Sequence, residues 1–237
     1  MSSDSKPNIP IRREGYYHFN DHRYVSVTTV LQVIDKPALR TWLAKQAART
    51  VLENPEVYNT AEKAIAYISS KRDTAADRGT DVHKIAARFL NMETTEEDKK
   101  SPFFDSIESF FEMAHPKPEL VEQVVFSDKW GYAGTVDLVA IFPDNHRWVV
   151  DWKTGKRVYP EHALQVAAYA ACESMWTPYA SPAAGGTITP LPKIEKRAIV
   201  LLKTGGIFEF VAIDGANDFE TFLAVKKLWE WMHDKSD

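Results

Sequence analysis

The chain has 237 residues, 44% of them hydrophobic and 26% charged, and such a sequence can bury a full core without disulfides or structural metals. Its formal net charge of −4 argues against a protein that coats nucleic acid through bulk positive charge, although it does not exclude a locally basic groove. The single cysteine excludes a disulfide framework and any four-cysteine zinc or iron–sulfur site within one chain.

The N-terminal sequence MSSDSKPNIPIRR lacks the apolar stretch of a secretion signal, and no run approaches about 18 consecutive apolar residues. We therefore expect a soluble, cytoplasmic protein without a membrane span. The whole chain, residues 1–237, is expected to form a single domain. Within it we predict a disordered tail over 1–10, an N-terminal strand and helical portion over 11–75, and a core over 76–237.

The N-terminal half is predicted to be mainly helical. A β-prone run covers residues 24–33, and Pro37 begins a helix. The apolar stripe of this helix predicts four core-facing residues: Leu39, Trp42, Leu43 and Gln46. Lys45 and Arg49 share another face, which is either a solvated surface or a phosphate-contacting one. Further helices are predicted over 60–70, 76–92 and 102–115.

The second half begins with three β-rich runs. The segments ELVEQVVFSD, GYAGTVDLVAIF and RWVVDWKT are joined by short turns, which predicts an antiparallel meander. After them we predict a helix over 160–175, a flexible connection over 179–192, a hairpin over 196–213 and a helix over 217–233. This order predicts an α/β (α+β) fold, with a mixed central sheet that contains the meander, flanking helices and a helical N-terminal extension.

The turn between the second and third β-rich runs decides which acidic side chains face each other. If residues 143–145 form a three-residue hairpin loop, Asp137 and Asp151 lie directly opposite, with β-carbons about 5 Å apart. A two-residue loop would instead place them on opposite faces of the sheet. Lys153 shares the face of Asp151 in either case, because side chains on a strand alternate with period two.

Two opposed carboxylates on a half-buried face destabilise a sheet unless something neutralises their charge. A divalent cation would do so, and carboxylate oxygens are ligands typical of Mg²⁺ or Mn²⁺. Lys153 would then lie where a water attacking a phosphate is oriented or developing charge is stabilised. The alternative is an Asp–Lys–Asp salt-bridge cluster on a solvated sheet face, and the spacing alone leaves both interpretations open.

Four short motifs resemble a known nuclease superfamily. The sequence G-Y-A-G-T-V-D-L followed by V-V-D-W-K-T-G-K resembles the PD-(D/E)XK superfamily. The upstream R-G-T-D-V-H (78–83) and downstream Q-V-A-A-Y (165–169) resemble its RecB-like branch, which includes phage exonucleases and CRISPR-associated nucleases. The early S-V-T-T-V-L run is also typical of phage members. The resemblance implies a restriction-endonuclease-like core.

The resemblance also implies roles for individual residues. It implies a set of ligands for Mg²⁺ or Mn²⁺, namely His83, Asp137, Asp151 and the backbone carbonyl of Trp152. It implies that Lys153 assists the attacking water and that Gln165 and Tyr169 complete the active site. Gln165 and Tyr169 are four residues apart on the predicted helix and therefore share one face.

Four other charged residues have open roles. Glu122, in the strand before the paired aspartates, is either an accessory acid or ordinary strand-edge charge. Lys156, Arg157 and Arg197 are candidates for contacts along a DNA backbone, with solvated charge as the alternative.

Two departures from the RecB-like pattern narrow the set of members that the chain resembles. Ala87 stands where members often have a glutamate four residues after the histidine, which implies a leaner metal shell. The cysteines that hold an iron–sulfur cluster in several members are absent, so we expect no such cluster. This favours a compact phage or prokaryotic exonuclease-like member.

The hypothesis that follows is a Mg²⁺- or Mn²⁺-dependent deoxyribonuclease, most simply an exonuclease acting on linear DNA in recombination or repair. Its expected setting is the cytoplasm of a prokaryotic or phage-infected cell, with a single-strand annealing protein or recombinase as a candidate partner. One alternative is a non-catalytic DNA-binding or assembly protein that retains the fold. Another is an enzyme acting on a small phosphoester, which would predict a closed pocket without a surrounding basic groove.

Overall fold

The computed structural model describes residues 9–180 and 185–233, without the side chains of residues 38, 72–78 and 80. The strands are β1 (Ile11–Arg13), β2 (Tyr16–Phe19), β3 (His22–Ser26), β4 (Lys117–Ser127), β5 (Tyr132–Ile141), β6 (Arg147–Lys153), β7 (Ser174–Pro178), β8 (Gly186–Pro190), β9 (Lys196–Leu202) and β10 (Phe208–Ala212). The α-helices are α1 (Val27–Val30), α2 (Pro37–Glu53), α3 (Ala61–Leu90), α4 (Phe104–Ala114), α5 (Pro160–Ala170) and α6 (Asp218–His233). Short 3₁₀ helices cover Leu31–Val33 and Asp98–Lys100. Among the described helices, none combines the length and the apolar composition that crossing a bilayer requires.

The strands form one mixed, mostly antiparallel sheet, as predicted, and β5 lies at its centre. β4 pairs with one edge of β5 along its length. β3 and β6 share the other edge, where β3 pairs with Tyr132 and Ala133 and β6 pairs from Leu138 onward. Residues 134–137 therefore face a gap between β3 and β6, within the part of the sheet that the structure describes. We call this opening the sheet gap.

Helices cover both faces of the sheet, and each face has its own apolar core. On one face, α1, α5 and α6 pack over buried residues that include Val139 and Val149. On the other face, α3 and α4 pack over Leu138, Val150 and Trp152. The consecutive strand residues 149 and 150 belong to different cores because side chains alternate along a strand. The sheet gap is thus accessible to side chains from helices on either face.

The hairpin between β5 and β6 has the predicted three-residue loop. The backbone N–H of Phe142 donates to the carbonyl of His146 at 3.1 Å, and Asn145 ends the loop with a left-handed φ of 60°. Asparagine tolerates this conformation better than most residues do. The ladder then runs from the Ile141–Arg147 pair to the Leu138–Val150 pair. Continuing the same register sets Asp137 opposite Asp151, so the predicted register is confirmed.

Three predictions for the N-terminal half differ from the structure. The β-prone run over 24–33 is a strand only to Ser26, after which Val27, Val30 and Leu31 are buried at helical spacing. The helices predicted over 60–70 and 76–92 are one continuous helix, α3, about 45 Å long. The predicted core stripe of α2 also fails, because Leu39 and Trp42 are exposed whereas Leu43 and Gln46 are half-buried.

The predicted flexible connection over 179–192 contains a strand. β8 pairs antiparallel with β7, which in turn pairs with β4. Of this connection, residues 181–184 lie outside the described part of the chain, as do residues 1–8 of the predicted tail. The helix predicted over 160–175 ends at Ala170, which leaves the chain free to form β7.

Candidate active site

The carboxylate of Asp137 occupies the sheet gap. Its Oδ2 accepts a hydrogen bond of 2.8 Å from the backbone N–H of Trp152. The side chain thus provides the acceptor that a neighbouring strand would otherwise provide for this N–H group. Its Oδ1 lies 3.0 Å from Nδ1 of His83, a residue on α3. Asp137 therefore connects the central strand to β6 and to a helix on the second face of the sheet.

Glu122 lies beside Asp137 on β4. The pairs Val121–Leu138 and Gln123–Val136 flank it, so the register sets Glu122 opposite Asp137. Its backbone φ is 47°, a left-handed conformation that is uncommon and costly for a glutamate. Ligand-type atoms of His83, Glu122 and Asp137 all lie within 4.8 Å of one another. The strain at Glu122 thus coincides with a cluster of groups that could hold a metal ion.

The electrostatics of this cluster favour protonation in the absence of a cation. The side chain of Glu122 reaches solvent, yet the protein around its carboxyl group desolvates it and, with the charge of Asp137, raises its pKa to about 7. Burial lowers the pKa of His83, but the charge and hydrogen bond of Asp137 outweigh this effect, and the net shift is upward. A divalent cation would relieve the carboxylate repulsion and displace these protons.

Asp151 and Lys153 form a second group on β6. Asp151 is fully buried, and its Oδ1 accepts a hydrogen bond of 2.7 Å from Nε2 of Gln165. Its Oδ2 forms an ion pair with the ammonium group of Lys153. Burial raises the pKa of Asp151, the charge of Lys153 partly offsets this, and the charge of Asp137 adds to it. The Asp151 carboxylate is thus held between an amide donor on one oxygen and an ammonium group on the other.

Helix α5 positions Gln165 and Tyr169 against Asp151. Nε2 of Gln165 donates both to Asp151 and to the hydroxyl oxygen of Tyr169, the latter at 3.0 Å. Both side chains are buried, and burial raises the pKa of the Tyr169 phenol well above its ordinary value. The predicted shared face of these two residues is therefore occupied by one hydrogen-bonded chain that ends on Asp151.

The structure does not bring every predicted site residue into this cluster. Lys156 and Arg157 lie in the exposed loop after β6, and the Arg157 guanidinium stacks 5.0 Å from the ring centre of Tyr159. Arg197 is mostly buried and contacts Asp218 at 3.3 Å. The role of the Trp152 carbonyl stays a prediction, because the contact seen at this residue is made by its N–H group.

Two residues near the site were missed by the sequence analysis. A Cβ atom at Gly134 would lie 3.0 Å from Cδ1 of Tyr169 and closer still to Cε1, so only glycine fits against this ring. A glycine inside an otherwise apolar strand was the available signal. His162 lies near Lys153 at the start of α5, where burial, followed by the charge of Lys153, lowers its pKa to about 4.

Glu122 provides a test of the metal cluster. Its folded-state pKa is above its ordinary value, so the stability that it contributes to the metal-free protein falls as the pH rises from about 4.5 to about 7. Metal binding requires its ionised form, so we expect Mn²⁺ affinity to rise about tenfold between about pH 6 and pH 8 from this group, with His83 adding to the effect. Isothermal titration calorimetry should show weaker binding and a smaller pH dependence in Glu122→Gln. An unchanged pH dependence in that variant would remove Glu122 from the ligand set.

The sequence and the structure were compared with those of known proteins. No family model and no curated protein match the sequence. A similar solved structure is the crystal structure of SSO0001, with 12% sequence identity and a TM-score of 0.38 over 95% of this chain and 80% of that chain. A similarity of this size carries no conclusion about fold or function.

Proposed function

We propose that the chain is a metal-dependent deoxyribonuclease. One observation carries the proposal: carboxylates from three adjacent strands, Glu122, Asp137 and Asp151, converge at the sheet gap together with His83 and Lys153. The geometry favours this function over a salt-bridge cluster on a solvated face, because Asp151 is fully buried and Asp137 is nearly so. The resemblance to RecB-like nucleases supports the same proposal.

The donor set suits Mg²⁺ or Mn²⁺. His83, Glu122 and Asp137 would hold the ion, with Asp151 as a further ligand. When bound, the ion would polarise the scissile phosphate and lower the pKa of a bound water. Lys153 is held beside Asp151, from where its ammonium group can orient the attacking water or stabilise the charge that develops on the phosphate. Gln165 fixes the Asp151 carboxylate, and Tyr169 fixes Gln165.

The substrate we propose is linear DNA, degraded from its ends, in recombination or repair. The cytoplasm of a prokaryotic or phage-infected cell and a partnership with an annealing protein or recombinase belong to the same proposal. The motif resemblance supports these finer assignments, whereas the site chemistry supports phosphodiester hydrolysis as such.

The proposal is tested with end-labelled linear DNA and circular DNA, each incubated with Mg²⁺, Mn²⁺ or EDTA. We expect metal-dependent degradation of linear DNA that is lost in Lys153→Met and kept in Lys100→Met, a change of an exposed lysine paired with Glu97. Comparing 5′ and 3′ labels gives the polarity. DNA binding without cleavage under any of these metal conditions would replace the proposal with a non-catalytic DNA-binding role.

A further inference from the structure

Helix α2 presents a row of exposed side chains beside its packed face. It packs against α3 through a half-buried to buried side formed by Leu43, Gln46, Ala47 and Thr50. The adjoining side carries an exposed stripe at helical spacing that consists of Trp42, Lys45, Arg49 and Leu52. All four are exposed, Trp42 to 46% and Leu52 to 81%. We call these four residues the α2 stripe.

The start of α2 is fixed beside the proposed catalytic strand. Nζ of Lys36, the residue before α2, lies 3.0 Å from the Glu161 carboxylate at the start of α5. The same helix, α5, packs against β6 and carries Gln165, whose side chain donates to Asp151. The start of α2 is therefore tied to the helix that positions Asp151, and Trp42 lies about 9 Å along the helix axis from Lys36.

The charge of this region opposes that of the whole protein. Residues 36–71 contain six Lys or Arg and three Asp or Glu, a net charge of +3 on a chain whose net charge is −4. Within this region Arg40 pairs with Asp35 and Arg49 pairs with Glu53, and Lys45 and Arg49 supply the positive charge of the α2 stripe itself. A polyanion is the complementary ligand for such a surface.

We propose that the α2 stripe binds an unpaired segment of the nucleic acid strand that enters or leaves the active site. The proposal rests on the nuclease function proposed above, and it adds that the nucleic acid bound at this surface is single-stranded. Lys45 and Arg49 contact phosphates, and the indole of Trp42 stacks on a base. Stacking requires a base whose face is free, which a continuous duplex does not offer to a helix side chain. The occupant is therefore single-stranded.

The test measures binding in EDTA, so that cleavage does not interfere. The probes are a fluorescein-labelled oligothymidine of about 20 nucleotides and a duplex of the same length. We expect Trp42→Ala to weaken binding to the single strand by about 5- to 100-fold and to change duplex binding far less. Lys45→Gln/Arg49→Gln should weaken binding and reduce the slope of log affinity against log salt by about 1.4.

Matched controls come from surfaces elsewhere on the chain. Trp231→Ala removes a tryptophan that is 77% exposed on α6, and Lys99→Gln/Lys100→Gln removes two exposed lysines near the second 3₁₀ helix. Both controls should bind the oligothymidine like the wild type. Circular dichroism of each variant establishes that it is folded.

Two results would overturn the inference while leaving the nuclease proposal intact. In the first, the stripe variants bind the oligothymidine as tightly as the wild type does, and the wild type cleaves DNA in a metal-dependent manner. The second is a wild-type dimer in sedimentation that Trp42→Ala dissociates with unchanged DNA affinity, which would make the stripe a contact between copies of the chain. A wild-type protein that neither binds nor cleaves DNA would overturn the nuclease proposal and the inference together.

Discussion

Replacing Asp151 with asparagine should abolish metal-dependent DNA cleavage and leave thermal stability unchanged or raised. The side chain keeps its size and its acceptor for Gln165, but it loses the charge that a cation requires. We expect a loss of about 10³-fold or more in cleavage rate. The folded protein raises the pKa of Asp151, so the contribution of this group to stability falls as the pH rises above the ordinary pKa of an aspartate. At neutral pH, asparagine removes the cost of keeping a buried carboxylate ionised.

Asp144→Asn is the matched control for this prediction. Asp144 lies outside the site, in the β5–β6 loop, and its hydrogen bond with Lys196 holds its pKa well below the ordinary range. Its charge therefore stabilises the folded protein at neutral pH, and the control should lose stability while keeping cleavage. Melting temperatures and cleavage rates of both variants test these opposite effects on stability and on cleavage. An active Asp151→Asn variant would contradict the proposed metal role.

Replacing Gly134 with alanine should impair both stability and cleavage through the ring of Tyr169. The added methyl group would collide with Cε1 and Cδ1 of Tyr169, and relief requires movement of a buried ring. Overpacking of this kind costs about 1–3 kcal/mol. Displacing the ring also disturbs Gln165, which positions Asp151, so we expect cleavage to fall at temperatures where the variant is fully folded.

A double substitution separates this contact from a general strand effect. In Gly134→Ala/Tyr169→Leu the smaller side chain removes the collision, so the two stability losses should be less than additive. Gly155→Ala serves as the control, because its Cβ would meet nothing closer than 3.7 Å. Strict additivity in denaturant unfolding would show that Tyr169 is not the group that requires glycine at 134.

The paired carboxylates of the site could be predicted because short-range turn chemistry determines them. Asn145 in the left-handed conformation closes a three-residue loop, and this loop sets the β5–β6 register that aligns Asp137 with Asp151. The place of Glu122 could not be predicted in the same way. It depends on the β4–β5 connection, residues 128–131, which sets Ser127 opposite Tyr132, and on the left-handed φ of Glu122, and the pattern of apolar residues encodes neither.

Long-range packing decides the elements that sequence patterns missed. α1 forms where a β-prone segment meets α5, because burial of Val27 and Val30 outweighs strand propensity. β8 forms in a segment rich in proline and glycine because β7 offers it a free edge. The exposed face of α2 follows from packing mainly against α3, a condition that the sequence of α2 does not reveal.

The pairing of β6 with β9 has a consequence for the newly made chain. β6 pairs with β9 in parallel, and Asp151 lies opposite Ile199. The ribosome adds Ile199 after all the proposed catalytic residues, the last of which is Tyr169. During synthesis the site is thus complete in sequence while the strand that carries it still has an unpaired edge. The proposed site therefore gains its final sheet environment only when β9 has been made and has paired with β6.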